Sequence, residues 1–230
     1  MRIADLNWMQ VDEYLARDDR LVLPIGSTEQ HGYLSLATDV ILAERVSVEA
    51  AEPLGVPVLP VLPFGVAPGF TAYPGTVSLQ LETLVTVLRE TLDALHSQGF
   101  RRFLVVNGHG GNVGAEEPLV DWARERESTR LRFYSWYAGE RATAAAERLH
   151  PNPTHANWFE NFPWTRLPGV TMPPGEKDTP VVDEWGDPGL VRMTLGDGTF
   201  GGAYQRPDEE MLELWSVAVA EVRDLIESGW

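Results

Sequence analysis

Two short segments concentrate the side chains that can do chemistry: Glu29-Gln30-His31-Gly32, followed by Asp39, and Asn107-Gly108-His109-Gly110-Gly111-Asn112. Each follows a run of apolar residues that reads as a buried strand. Each therefore puts acidic and imidazole groups at a strand's C-terminal end, where open α/β sheets bind their ligands. Together they offer two carboxylates and two histidines, the ligand types that hold zinc, manganese or iron. Glu29 and His31 are two apart, so on an extended segment both point to one side. Asp39 falls at the predicted start of a helix, after a loop that can fold back. There it can cap the helix or, beside Glu29 and His31, bridge metal ions. A metal-dependent hydrolase is the first hypothesis these residues raise.

His109 sits among glycines, which permit close backbone approach. Such a loop can also cradle an anion, but it lacks the lysine and hydroxyl residue of a phosphate-binding loop and the glycine spacing of a dinucleotide fingerprint. A third candidate group, His155 and Glu160, lies in Thr154-His155-Ala156-Asn157-Trp158-Phe159-Glu160-Asn161. On a distorted helical turn the two share a face, where they can act as an acid/base pair or the glutamate can ligate a metal. His96 and His150 read as structural or solvent-facing. Trp136, Trp158, Trp164 and Trp185 read as core before substrate platform.

The elements that must position these groups are legible from periodicity. Val11 to Arg17 reads as a short helix. Residues 20–25 (RLVLPI), 103–106 (FLVV) and 131–136 read as strands, as does the proline-interrupted stretch 56–62, which is expected near an edge. Helical patterns cover 39–51, the apolar stripe Leu81-Leu84-Val85-Leu88-Leu92-Leu95, about 112–126 with Asn112 as its cap, and a closing helix marked by Met211, Leu214, Trp215, Ala218, Val222 and Leu225. Alternating strands and helices give an α/β fold with a mainly parallel, doubly wound sheet. Residues 151–207, rich in Gly, Pro, Trp and Asp, break that rhythm and are expected to fold over the site.

At 230 residues the chain suits one domain spanning 1–230. A net charge of −16 argues against binding nucleic acid through its phosphates and against an anionic membrane surface. There are no cysteines, so disulfides are excluded and any metal must bind through N and O ligands. No apolar run approaches the ~20 residues of a membrane span. Without a signal-peptide pattern at the N-terminus, a soluble cytoplasmic protein is expected.

The chain resembles the creatininase (creatinine amidohydrolase) family. The matching segments are Leu23 to Gly32, Thr38-Asp39, Tyr73-Pro74-Gly75-Thr76, Asn107 to Asn112, and His155-Ala156 with Glu160. The resemblance implies a three-layer α/β/α sandwich and a dinuclear zinc, manganese or iron site. It also implies hydrolysis of amide-type C–N bonds in a homo-oligomer, often a hexamer. By position, Glu29, His31, Asp39 and His109 resemble the metal ligands, with Asp39 bridging. His155 resembles the catalytic histidine, and Glu160 matches a family glutamate near it.

Three places depart from the family. The loop Gly32-Tyr33-Leu34-Ser35-Leu36 is one residue shorter and lacks a second histidine. Creatininases carry a glutamate ligand two residues after the motif histidine, where this chain has Gly111. The small residues after the late glutamate are here Asn161-Phe162. Glu160 is expected to supply the missing carboxylate. The implied activity is hydrolysis of a small-molecule amide, lactam or formamide. Two alternatives stand beside it: a short-peptide metallopeptidase or maturation partner like the mycofactocin-associated relatives, and a non-catalytic metal-binding homologue.

Overall fold

A computed structural model describes residues 1–230. The chain opens with α1 (Trp8–Leu15) and β1 (Arg20–Ile25), then α2 (Thr38–Ala51) and α3 (Leu81–Gln98). Next come β2 (Arg102–Asn107), α4 (Glu116–Arg124), β3 (Arg130–Ser135) and α5 (Glu140–Leu149). The last third holds β4 (Glu176–Lys177), α6 (Pro188–Leu195), β5 (Gly202–Ala203) and the long α7 (Asp208–Ser228).

The main sheet has the order β1-β2-β3 and is parallel throughout, with Leu21 opposite Phe103 and Phe103 opposite Leu131. Alternation along the strands feeds two cores. Leu21, Leu23, Ile25, Phe103 and Val105 pack with Tyr14 of α1, Leu84, Leu88 and Leu92 of α3, and Leu119 and Trp122 of α4. Val22, Leu104 and Val106 face the other way, onto Leu42 and Val46 of α2, Ala142 and Ala146 of α5, and Leu214, Ala218 and Val222 of α7. A period of two on the strands thus produces the three-layer α/β/α sandwich. Full burial of each such aliphatic side chain stabilises by about 1.5–3 kcal/mol.

Three local expectations are corrected. Residues 56–62 form no continuous strand. Val58 bridges Val22 and Leu62 bridges Ile25, both in parallel, because Pro57 and Pro60 have no N–H to extend the ladder. The first helix begins at Trp8, ahead of Val11, because Asn7 and Gln10 form a reciprocal capping box at 3.0 and 3.1 Å. Asn112 does not cap α4. It lies inside a 3-10 turn, Gly110–Ala115, and its side chain is used elsewhere.

No helix is long and apolar enough to cross a membrane.

Candidate metal centre

The candidate ligands gather at the C-terminal ends of β1 and β2. Glu29 and His31 follow β1, His109 follows β2, and Asp39 sits in the first turn of α2; all four are buried. The close packing of α2 on β2 depends on Gly108, since a Cβ there would stand 2.5 Å from the Asp39 carbonyl oxygen. Two asparagines brace the second loop. Asn107 accepts from the His109 N–H at 3.0 Å and donates to the His109 carbonyl at 2.8 Å. Asn112 accepts from the Val66 N–H at 3.1 Å and donates to the Gly26 carbonyl at 3.1 Å, tying the β1 exit to the 65–66 loop.

Both histidines are oriented by carbonyls. His31 donates from Nδ1 to the Glu29 carbonyl at 3.1 Å, leaving Nε2 3.0 Å from Asp39 Oδ1 and 3.6 Å from Glu160 Oε2. His109 donates from Nε2 to the Val66 carbonyl at 2.9 Å, leaving Nδ1 3.0 Å from Asp39 Oδ2 and 3.2 Å from Glu29 Oε1. A carbonyl can only accept, so each far nitrogen carries a proton and each near nitrogen offers a lone pair when the ring is neutral. Asp39 therefore presents one oxygen to each imidazole. Glu29 Oε1 and Asp39 Oδ2 are buried with no hydrogen-bond partner, a costly state unless a cation lies between them.

The electrostatics carry the same message. Burial opposes a charge on His31, yet Asp39 and Glu160 outweigh it and raise its pKa to about 10. His109 is likewise raised well above the ordinary range, with Glu29 and Asp39 overcoming burial. Burial lifts Glu29, helped by the Asp39 charge, and lifts Glu160 to about 7. Asp39 stays well below the usual carboxylate range, since the charges of His31 and His109 overcome its burial. These upward shifts keep protons among the clustered carboxylates and imidazoles.

The third segment closes over this cluster. His155 places Nδ1 3.8 Å from Glu29 Oε1, and burial followed by the nearby His31 charge holds its pKa well below the usual histidine value. Glu160 ends a 3-10 turn, Trp158–Glu160, and accepts from the Ala156 N–H at 2.6 Å. Ala156 adopts a left-handed φ of 59°, unusual for a residue with a Cβ. Asn157 organises the turn by accepting from Phe159 N–H and donating to the Asn152 and Gly201 carbonyls. Three groups can hold an ion: Glu29 with Asp39 and His109, His31 with Asp39 and Glu160, and Glu29 with His31 and His155.

A cavity of about 400 Å³ opens onto Glu29, Asp39, His109, His155 and Glu160. Its far wall is aromatic: Phe70, Trp185 and Phe200, with Tyr137 near Asn107. Trp136 and Trp158 are core residues as expected, and Trp164 packs against the core. Trp185 is not core; it is 47% exposed at the cavity, carried by the polar loop Asp183 to Asp187. His96 bonds Thr129 at 3.0 Å and His150 pairs with Glu176, both away from the cluster. Phe70, Phe200, Asn157 and Tyr137 carry no motif; only their placement after folding reveals them.

Buried carboxylate–imidazole groups at the ends of parallel strands, beneath a small cavity, make a candidate site for divalent ions. The chain belongs to the creatininase family, whose model (creatinine amidohydrolase) matches residues 4–226. It is 33% identical over 117 residues to the creatinine amidohydrolase of Pseudomonas putida, a match covering 48% of this chain and 45% of that protein. It is 38% identical over 102 residues to the mycofactocin precursor peptide peptidase of Mycolicibacterium smegmatis, covering 41% of each. In sequence, therefore, the matches span less than half of these relatives. In structure, a solved creatinine amidohydrolase superposes with a TM-score of 0.81 at 26% identity, covering 99% of this chain and 97% of that one. Solved creatininases include one described as an Mn form and a mutant described as a Zn–Zn type.

Proposed function

We propose that this chain is a metal-dependent amidohydrolase that cleaves a C–N bond of a small amide, lactam or formamide. The observation that carries this reading is Asp39: it divides its oxygens between two imidazoles, each anchored behind by a carbonyl, and one of those oxygens is buried without a partner. In this assignment Glu29, Asp39 and His109 hold one ion, and His31, Asp39 and Glu160 hold the other. Zinc, manganese and iron all suit such oxygen and imidazole ligands. When bound, such ions supply hydroxide near neutral pH and polarise a carbonyl.

The chain's own residues do the rest. The aromatic wall and the closing segment line the cavity beside the cluster. Ser27 donates to Glu29 Oε2 at 3.2 Å and fixes that carboxylate. His155 faces the reacting atoms, either as acid to the leaving nitrogen or as donor to the carbonyl oxygen. The cavity lining contains three carboxylates and two histidines and no lysine or arginine.

A second reading, hydrolysis at the end of a short peptide, is favoured by the 38% identity to the mycofactocin precursor peptide peptidase. The test is metal content per chain, on protein purified without chelators or a metal-binding tag, followed by a panel of creatinine, N-formyl amines, lactams and short peptides. Near two equivalents with turnover of a small amide supports the first reading. Turnover of peptides alone moves the assignment to the second. No metal after loading with zinc, manganese or iron overturns both and leaves a non-catalytic homologue.

A further inference from the structure

Gln30 lies between the two ligands Glu29 and His31, but its side chain turns away from them. Its Oε1 accepts from the Gly32 N–H at 3.1 Å. Its Nε2 donates to the Gly198 carbonyl at 3.0 Å and lies 2.8 Å from His155 Nε2. An amide is symmetric enough to be turned over, and its orientation must be argued from partners. Here the partners settle it. A backbone N–H only donates and a carbonyl only accepts. Turning the amide would set two donors against each other at Gly32 and two acceptors at Gly198. The nitrogen therefore faces His155, and a primary amide nitrogen can only donate.

His155 Nε2 must then accept, which leaves the ring proton on Nδ1. Turning the ring about Cβ–Cγ would set a carbon against the Gln30 amide, and the ring is packed between Phe70, stacked at 5.0 Å and 12°, and Phe200 at 4.7 Å. Nδ1 points toward Glu29 Oε1 and the cavity. The close approach of the amide also explains Gly198, where a Cβ would stand 1.7 Å from Gln30 Oε1 and φ is +93°.

We propose that Gln30 is a positioning residue that holds His155 as the Nδ1–H tautomer, making it a fixed hydrogen-bond donor to the reacting carbonyl oxygen and not a proton shuttle. A proton shuttle passes through the imidazolium, which carries a proton on both nitrogens at once, and a proton on Nε2 would meet the Gln30 N–H head on. Hydrolysis balances without it: water gives its oxygen and one proton to the acyl product and the other proton to the leaving nitrogen. The donor role rests on the amidohydrolase reading; the tautomer rests on the hydrogen bonds alone.

The test is long-range proton–nitrogen NMR on the full, zinc-loaded chain with 15N-labelled histidine, the His155 signals being those lost in His155→Asn. The expected spectrum shows Nδ1 protonated and Nε2 bare and accepting. Gln30→Glu puts an acceptor in place of the donor and should move the proton to Nε2, while Gln30→Met should give a mixture. A protonated Nε2 in the unaltered chain, or no change in a folded Gln30→Glu, overturns the assignment. On whichever amide of the panel is turned over, Gln30→Glu should lower kcat roughly tenfold or more with little change in KM; a change confined to KM overturns the donor role. If the chain holds no metal and turns nothing over, the hydrolase reading and the donor role fail together, while the spectrum still decides the tautomer.

Discussion

Gly111 lies against the Val66 carbonyl so closely that a Cβ on it would stand 1.9 Å from that oxygen and 2.6 Å from His109 Nε2. The same carbonyl accepts the His109 ring N–H at 2.9 Å and so orients a candidate ligand. Where the resemblance to creatininases implies a glutamate, a side chain in this chain would collide with the Val66 backbone. Gly111→Glu should therefore not restore a carboxylate to the site. It should push Val66 and His109 apart, lower metal content per chain and destabilise the fold by about 1–3 kcal/mol, as overpacking does. Metal analysis and thermal melting check both; a variant holding more metal than the parent would refute the steric argument.

Glu160 enters from the opposite side, with Oε2 3.6 Å from His31 Nε2. Glu160→Gln keeps the side-chain shape and an acceptor for the Ala156 N–H, so the turn should survive. The expected result is one tightly held ion per chain in place of two. Because burial lifts the Glu160 pKa to about 7, the chelated Glu160→Gln protein should also melt no lower than the chelated parent above that pH. Two tightly held ions in the variant would remove Glu160 from the ligand set.

The metal-free cluster makes stability depend on pH in a definite direction. His31 is raised to about 10, His109 lies well above its usual value, and Glu29 and Glu160 are raised as well. A group whose folded pKa is raised gives stability that is complete below its unfolded pKa and lost as pH climbs through the folded one. Asp39 and His155 are shifted downward and have finished titrating by about pH 7. The chelated protein should thus lose thermal stability between about pH 7 and pH 10. Metal loading should abolish that slope, because the ion then replaces the protons. A chelated protein with a flat profile over this window would contradict the assigned cluster.

The candidate ligand set is legible in the sequence because it is local. Glu29 with His31, and His109 within its glycine frame, sit directly after apolar strands, and strand ends fix where such residues go. The approach of Glu160 to His31 is not legible: the sequence sets Glu160 beside His155 and offers it as a ligand or acid/base partner, and no spacing rule links a residue after β1 to one in an irregular turn. The strand expected at 56–62 fails because its apolar content is right while its prolines remove the donors that a ladder needs. Gln30 reads in sequence as no more than a letter of the motif. Its use depends on Gly198, 168 positions away, and nothing in either local sequence announces that meeting. Trp185 departs from expectation for a related reason: tryptophan is usually buried, and exposure at a cavity mouth is decided by how residues 183–187 lie on the finished fold.

Trp185 offers the clearest separation of binding from chemistry. Its ring meets Phe200 at 5.4 Å and Phe70 at 6.2 Å, both at steep angles, and it stays 47% exposed at the cavity. Phe70, by contrast, is buried and stacked on His155. Loss of an exposed ring costs the fold little, so Trp185→Ala should melt close to the parent. It should raise KM about 2- to 10-fold, the equivalent of one aromatic contact of about 0.5–1.5 kcal/mol, and leave kcat nearly unchanged. Phe70→Ala should lower kcat as well, because it frees the His155 ring. Steady-state kinetics on the best amide of the panel distinguish the two. A fall in kcat for Trp185→Ala at constant KM would mean that this ring acts on the reacting geometry through Phe70 and not on the substrate's ground state.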